Sequence, residues 1–315
     1  MQLDGDREID REVTTIADPD NEGKFIVPAN RLYAVNLGSD GSIVSVDSEL
    51  GAQRLQVSGN GEVSVNVNLN SHINFLADGD VVIASGKTIS GNIDSLVGNN
   101  GTLTFINGGL VSGTVGETNA IKVFNANGGS AGLLLSKDVK ALDMNVGAGT
   151  ITFANGANLT ATTLDANVSG QGRIVFAGTS TIDANIGSEA KIGTIAAGAG
   201  SSVVIFDNSA DQAIRVGTLE VGSGHVILQD GGVGAALFTS NGTLTIAAGK
   251  EWTGNVSASV AGNGRLELLG NRTIDNTIST NNINTLAIAD NGSTVTINSN
   301  VNANNIEVMG TGSAT

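Results

Sequence analysis

Two stretches decide the fold. Gly172–Phe206 reads GRIVFAGTSTIDANIGSEAKIGTIAAGAGSSVVIF, and 92 residues later Gly264–Ile297 reads GRLELLGNRTIDNTISTNNINTLAIADNGSTVTI. Both open on a glycine and a short apolar alternation, run through Thr-Ile-Asp to a second apolar position, and close on another alternation. A fainter version, GTLTFINGGLVSGTVGETNAIKVF, starts at Gly101. Repetition of this kind is the mark of a stacked architecture, in which each unit buries its apolar face only against its neighbours.

Working outward, the unit reduces to a small residue, a spacer, and apolar–x–apolar. It appears as GTLTF at Gly101, NAIKV at Asn119, GTITF at Gly149, GRIVF at Gly172, SSVVI at Ser201, GHVIL at Gly224, GTLTI at Gly242, GRLEL at Gly264 and STVTI at Ser293. Successive starts lie 18 to 30 residues apart, averaging 24, which suits a coil of two or three short strands with turns between them. Strict alternation, cleanest at Val63-Ser-Val65-Asn-Val67-Asn-Leu69, predicts strands with one buried face. The longest intervals, Asn119–Gly149, Gly172–Ser201 and Gly264–Ser293, are expected to carry protruding loops.

A second element marks corners. Ile89-Ser-Gly-Asn-Ile93, Val111-Ser-Gly-Thr-Val115, Ile182-Asp-Ala-Asn-Ile186, Trp252-Thr-Gly-Asn-Val256 and Ile274-Asp-Asn-Thr-Ile278 each bracket three small or polar residues between two apolar ones. Gly, Asn and Asp turn the chain cheaply, by tolerating positive φ and by hydrogen bonding to local backbone. The flanking apolar residues should then both point inward, with Asn stacked on Asn from coil to coil. The expected fold is all-β, a single-stranded right-handed parallel β-helix with irregular coils of about 18–30 residues. A sandwich or barrel would show regular hairpin turns and more core aromatics.

Composition agrees. Of 315 residues 44 are glycine, hydrophobic residues make up 40%, aromatics 3%, and there is no cysteine. The net charge of −15 and the absence of basic clusters interleaved with aromatics exclude nucleic acid as a partner class. No run has the length of a transmembrane helix, so the chain is not expected to insert in a membrane. Residues 1–30 carry both prolines, Pro19 and Pro28, and dense charge, and read as an N-terminal arm or a cap over the first coil, with 31–315 as the repeat domain. The first residues lack the apolar stretch of a signal peptide, and the chain stops at Met309-Gly-Thr-Gly-Ser-Ala-Thr315 without aromatic-ended amphipathic strands. The last strand, near Ile306-Glu-Val308, is expected to leave an exposed edge prone to pairing.

The cycle of GTLTF, a corner such as TISGNI, LVSGTV or EWTGNV, and a link such as FAGTSTI or LGNRTI over roughly residues 80–310 resembles the passenger repeats of rickettsial surface-antigen autotransporters, the outer-membrane protein B type above all. That resemblance implies a right-handed β-helix at the bacterial surface, outer-membrane associated as part of a full-length autotransporter. Its role would be in a surface layer or host-cell contact, with a host surface protein or neighbouring passenger chains as partner. The expectation is a passenger fragment with no signal peptide or barrel of its own.

Gly128-Gly-Ser130-Ala-Gly132 matches a nucleophile elbow, which requires a following helix and a partnered His. The two histidines, His72 and His225, lack the ligand company of a metal site, His225 being placed level with Thr243 and Arg265. Asp183 and Asp275, equivalent by repeat, and Asp207, Asp211, Asp230 and Asp290 read as turn residues. Trp252 replaces a corner isoleucine and reads as core. Thr104, Thr152, Thr245 and Thr296 share an outward position with Lys122, Val175, Val204, Ile227 and Glu267, which breaks any regular ice-binding lattice. No calcium-loop pattern is present. The reading is therefore a non-enzymatic surface or adhesin-type β-helix with no catalytic, cofactor-binding or metal residues and no cofactor. The alternative is a β-helical glycan-active enzyme, a polysaccharide lyase or tailspike-like protein, which needs two or three converging carboxylates beside an aromatic.

Overall fold

The computed structural model describes residues 7–9, 34–37, 40–48, 50, 52–275, 277–289, 292–309 and 313–314. These residues contain no helix. The chain divides into two compact units, Met1–Asn145 and Val146–Thr315. In each, every strand pairing is parallel and joins one coil to the next, so the fold is a parallel β-helix.

In the first unit one wall runs Ile43–Val46, Glu62–Val65, Asp80–Ile83, Thr102–Phe105 and Ile121–Ala126. A second runs Val35–Leu37, Arg54–Val57, His72–Phe75 and Ile93–Ser95. A third stacks Lys87–Ile89, Gly109–Val111 and Gly129–Leu135. Arg7–Ile9 pairs with Val44–Val46; the rest of the 1–30 arm lies outside the described residues, as does Asp290.

In the second unit one wall runs Gly149–Phe153, Arg173–Phe176, Ile192–Ala197, Ile214–Val221, Gly232–Phe238 and Val256–Ala258. The other runs Ser180–Ile186, Val203–Phe206, His225–Leu228, Thr243–Ile246, Asn263–Leu268, Ile278–Ile288 and Val301–Val308.

The register fixes the coil. From Val35 onward it ranges from 17 residues (Thr218 to Ala235) to 24 (Thr194 to Thr218), whereas Arg7 lies 37 residues before its partner Val44. The three long sequence intervals therefore contain additional strands. Within Gly172–Ser201, Ile192–Ala197 stacks on Arg173–Phe176, and SSVVIF lies on Ser180–Ile182, a different wall. Within Gly264–Ser293, Ile278–Ile288 stacks on Asn263–Leu268, and Thr294–Ile297 lies on Arg272–Ile274.

Two phases also differ from expectation. Val204 and Phe206 point inward and Val203 and Ile205 do not; Phe124, and not Val123, stacks on Leu103. Where successive residues are all apolar, alternation alone leaves the face undecided, and a one-residue shift exchanges the two faces.

Of the ten residues bracketing the five corners, nine are buried and only Ile274 is half-exposed. Ile89 stacks under Val111 and Ile93 under Val115, so these two corners are equivalent. Ile182, however, stacks with Leu159 and Phe206, whereas Trp252 stacks on Gly232. Ile182-Asp-Ala-Asn-Ile186 is therefore not a corner equivalent to the Trp252 one: it lies within the wall strand Ser180–Ile186, with Ala184 buried between the two isoleucines.

Among the described residues seven phenylalanines are fully buried, and three form a contiguous group in the second unit: Phe153 and Phe176 are stacked at 5.0 Å, and Phe176 meets Phe206 edge-on at 5.8 Å. These rings explain the glycine that opens several units. Gly101 and Gly264 have φ of +89° and +85°, and a Cβ on either would overlap the ring of Phe75 or Phe238 in the coil beneath. Glycine is required there twice over, for the left-handed backbone and for the close approach.

Candidate functional site

The outward faces of the coils are tied together by polar side chains reaching one coil up or down. In the first unit Thr104, Asn125 and Asn145 form a ladder: Asn145 Nδ2 donates to Asn125 Oδ1 at 3.0 Å, and Asn125 Nδ2 to Thr104 Oγ1 at 3.0 Å. This is the stacking expected of Asn, realised on a wall. At the Gly91–Asn92 corner, Asn92 Oδ1 instead accepts from the Thr114 N–H one coil on, and its own N–H donates to His72 Nδ1.

Aspartates fasten the turns. Buried Asp94 accepts from the N–H groups of Thr118 and Asn119, and buried Asp165 from those of Glu189 and Ala190 and from the Ser188 hydroxyl. Asp183 accepts from the Ser209 N–H and Asp275 from Asn298 Nδ2. Each holds a residue of the following coil, 23 to 26 positions on, and Asp94, Asp165 and Asp183 do so from strands and not from turns of their own, so all four carboxylates are spent on joining coil to coil.

In the second unit the wall bearing His225 carries a polar network. His225, Thr243 and Arg265 are in register, as are Ile227, Thr245 and Glu267. Thr245 donates to Glu267 Oε2 at 2.8 Å and lies 2.7 Å from His225 Nε2. Because the hydroxyl proton goes to Glu267, the histidine nitrogen must be the donor to Thr245. The hydroxyl is therefore not deprotonated by an imidazole base, as a nucleophile would need. On the other wall of the unit Arg173 holds Glu220 with two parallel bonds of 2.9 and 2.6 Å, while on the His225 wall Arg265 pairs with Glu307 at 2.6 Å. Sequence reasoning placed His225 and Glu267 on this face but missed the network, since it joins residues 20 and 22 positions apart.

One cluster has the ingredients of acid–base chemistry. Lys250 pairs with Asp211 and lies 3.8 Å from Asp230. Lys250 and the hydrogen bond from Asp230 hold the Asp211 carboxyl below the usual range. Burial, with Asp211 close by, pushes Asp230 up. Opposed shifts in neighbouring carboxylates mark acid and base pairs in enzymes. Here Asp211 is exposed and Asp230 accepts a 2.6 Å bond from the Asn208 N–H, and the buried Trp252 offers no surface to stack a sugar. Among the described residues no group of three or more His, Cys, Asp or Glu is placed to hold a metal ion.

The other sequence candidates are dispersed. Ser130 lies exposed in the strand Gly129–Leu135, its N–H bonded to Asn107 Oδ1, with no helix after it. Thr104 is level with Asn125, not Lys122, and Thr152 with Val175, so the threonines form no lattice. Trp252 is 7% exposed and belongs to the core. No helix among the described residues is long and apolar enough to cross a membrane. Compared with known proteins, the chain matches no family model, no curated protein and no solved structure.

Proposed function

We propose that this chain is a non-enzymatic display element, an adhesin-type β-helix of the autotransporter-passenger kind, whose walls contact a host-cell surface protein or neighbouring passenger chains. The observation that carries the reading is the use of the side chains. Polar and charged side chains are engaged in joining coil to coil, from Asp183 and Asp275, which the sequence singled out, and Asp94 and Asp165, which it did not, to Arg173–Glu220 and His225–Thr245–Glu267 on the walls. A wall held this way presents a stiff, patterned polar surface, and extended solenoid surfaces serve binding. The repeat style of residues 80–310 supplies the passenger assignment, and with it a place at the cell surface.

The test is to join the chain to a signal peptide and an outer-membrane β-barrel in a bacterium, then measure protease accessibility and adherence to cultured host cells. Surface exposure with adherence or cell-to-cell clumping above the barrel alone supports the reading. A displayed chain that neither adheres nor self-associates overturns it, as does turnover of a polysaccharide that is lost on Asp211→Asn or Asp230→Asn substitution.

A further inference from the structure

The half-exposed Ile274 marks a break in the second unit. Trp252–Thr253 pairs back with Gly232–Val233, and Arg272–Ile274 pairs forward with Thr294–Ile297, but the two are not paired with each other; the ladder resumes at Val256 and Ile278. Between these coils lies a cavity of about 140 Å³. Its apolar lining includes Ile246, Trp252, Val256, Leu266, Leu268 and Ile278, and Arg272 also lines it. The indole is seated because the residue beneath it is Gly232, where any Cβ would press on the ring.

Arg272 is the anomaly. It is 8% exposed. Its Nη2 donates to the carbonyls of Ile246 at 3.2 Å, Ala247 at 2.8 Å and Leu269, all neutral acceptors, and its Nε is buried with no acceptor. Among the described residues no carboxylate lies within ion-pairing distance of it. Burial pulls the guanidinium down to about 10, with exposed Glu251 opposing, so it remains a cation at neutral pH. A buried cation without an anion is costly, and such charges are normally paired.

We propose that this cavity binds a compact organic acid, its hydrocarbon body against Trp252 and the leucines and its carboxylate on the Arg272 guanidinium. The size of the void sets the class. A cavity of about 150 Å³ lined by Leu, Ile and Phe holds one benzene molecule, so a single six-membered ring fits here. The charge sets the headgroup, since a carboxylate matches the guanidinium fork. Glu251 and Asp275 at the cavity wall oppose an entering anion and limit its affinity.

Trp252 is the only tryptophan of the chain, so its emission reports on this cavity alone. Titration of the full chain with cyclohexanecarboxylate, which does not absorb at the excitation wavelength, is expected to give a saturable change in the Trp252 spectrum. Cyclohexanecarboxamide, with the same ring and no charge, should bind ~10- to 100-fold more weakly, the range for a charged hydrogen bond against a neutral one. Arg272→Leu should abolish the preference for the acid, and Glu251→Gln should tighten acid binding. Leu266→Phe keeps the guanidinium but fills the void, and should abolish binding of both compounds. It decides the matter if Arg272→Leu does not fold, as judged by circular dichroism. Equal binding of acid and amide, no saturation by the acid, or undiminished binding to folded Leu266→Phe would each overturn the proposal.

Discussion

Replacing Phe176 by alanine removes the ring at the centre of the group Phe153–Phe176–Phe206. Phe176 is fully buried, so the loss of transfer energy and the cavity left behind should cost about 3–5 kcal/mol. Part of that belongs to the ring pairs, each worth about 0.5–1.5 kcal/mol beyond area burial. The geometry divides the coupling. Phe176 is in register with Phe153 and stacked on it at 5.0 Å, and it meets Phe206 edge-on at 5.8 Å from the facing wall. Double-mutant cycles in urea, followed by far-ultraviolet circular dichroism, should therefore show coupling for Phe153/Phe176 and for Phe176/Phe206. The Phe153/Phe206 pair has no ring contact of its own and is joined only through the shared partner Phe176, so its coupling should be smaller than that of either contacting pair. Because coils contact only their neighbours, Phe176→Ala is also expected to split the unfolding of this unit into separable steps. Full additivity of all three pairs, or a Phe176→Ala cost below about 1 kcal/mol, would refute the packing described here.

Three further outcomes can be checked directly. Gly101→Ala should lower the melting temperature more than Gly156→Ala: both backbones are left-handed, costing about 1–2 kcal/mol with a Cβ, but only the first Cβ would strike a ring, while the second faces open space. Asp165→Ala strands two backbone N–H groups and a hydroxyl and should cost about 2–4 kcal/mol, with new proteolysis around residues 187–191. Asp230→Asn should raise the melting temperature at pH 7: the carboxyl titrates higher folded than unfolded, so its contribution falls as pH rises from the ordinary aspartate value through the raised one, and the neutral amide should remove that fall.

At the end of the longer wall of the second unit, Ile306 and Val308 are 56% and 42% exposed, as the run Ile306-Glu-Val308 led one to expect. They continue columns in which Leu286 and Ile288 are buried. An apolar strand edge of this kind is a template for pairing. Ile306→Lys with Val308→Lys should reduce self-association in sedimentation velocity; unchanged sedimentation would exclude this edge as the contact.

The architecture was legible in sequence because a parallel β-helix writes its coil into local pattern. Alternation at Gly101, Gly149, Gly172 and Gly264 marks strands whose alternate residues are inward, and the Ile89–Ile93 and Val111–Val115 brackets mark true corners. His225 fell level with Thr243 and Arg265 for the same reason. What pattern could not supply was which wall a strand joins. SSVVIF and GRIVF look alike, yet they stack on different partners, because the identity of a wall depends on how many residues each corner consumes and not on the strand itself. The same limit hid the candidate sites. The His225–Thr245–Glu267 chain and the Asp211–Asp230–Lys250 cluster join residues one coil or more apart. The Trp252–Arg272 cavity exists because one strand forgoes its pairing with the coil beneath. Local sequence sets the period of the coil; the stacking register, fixed only when the walls close on a common core, decides which side chains meet.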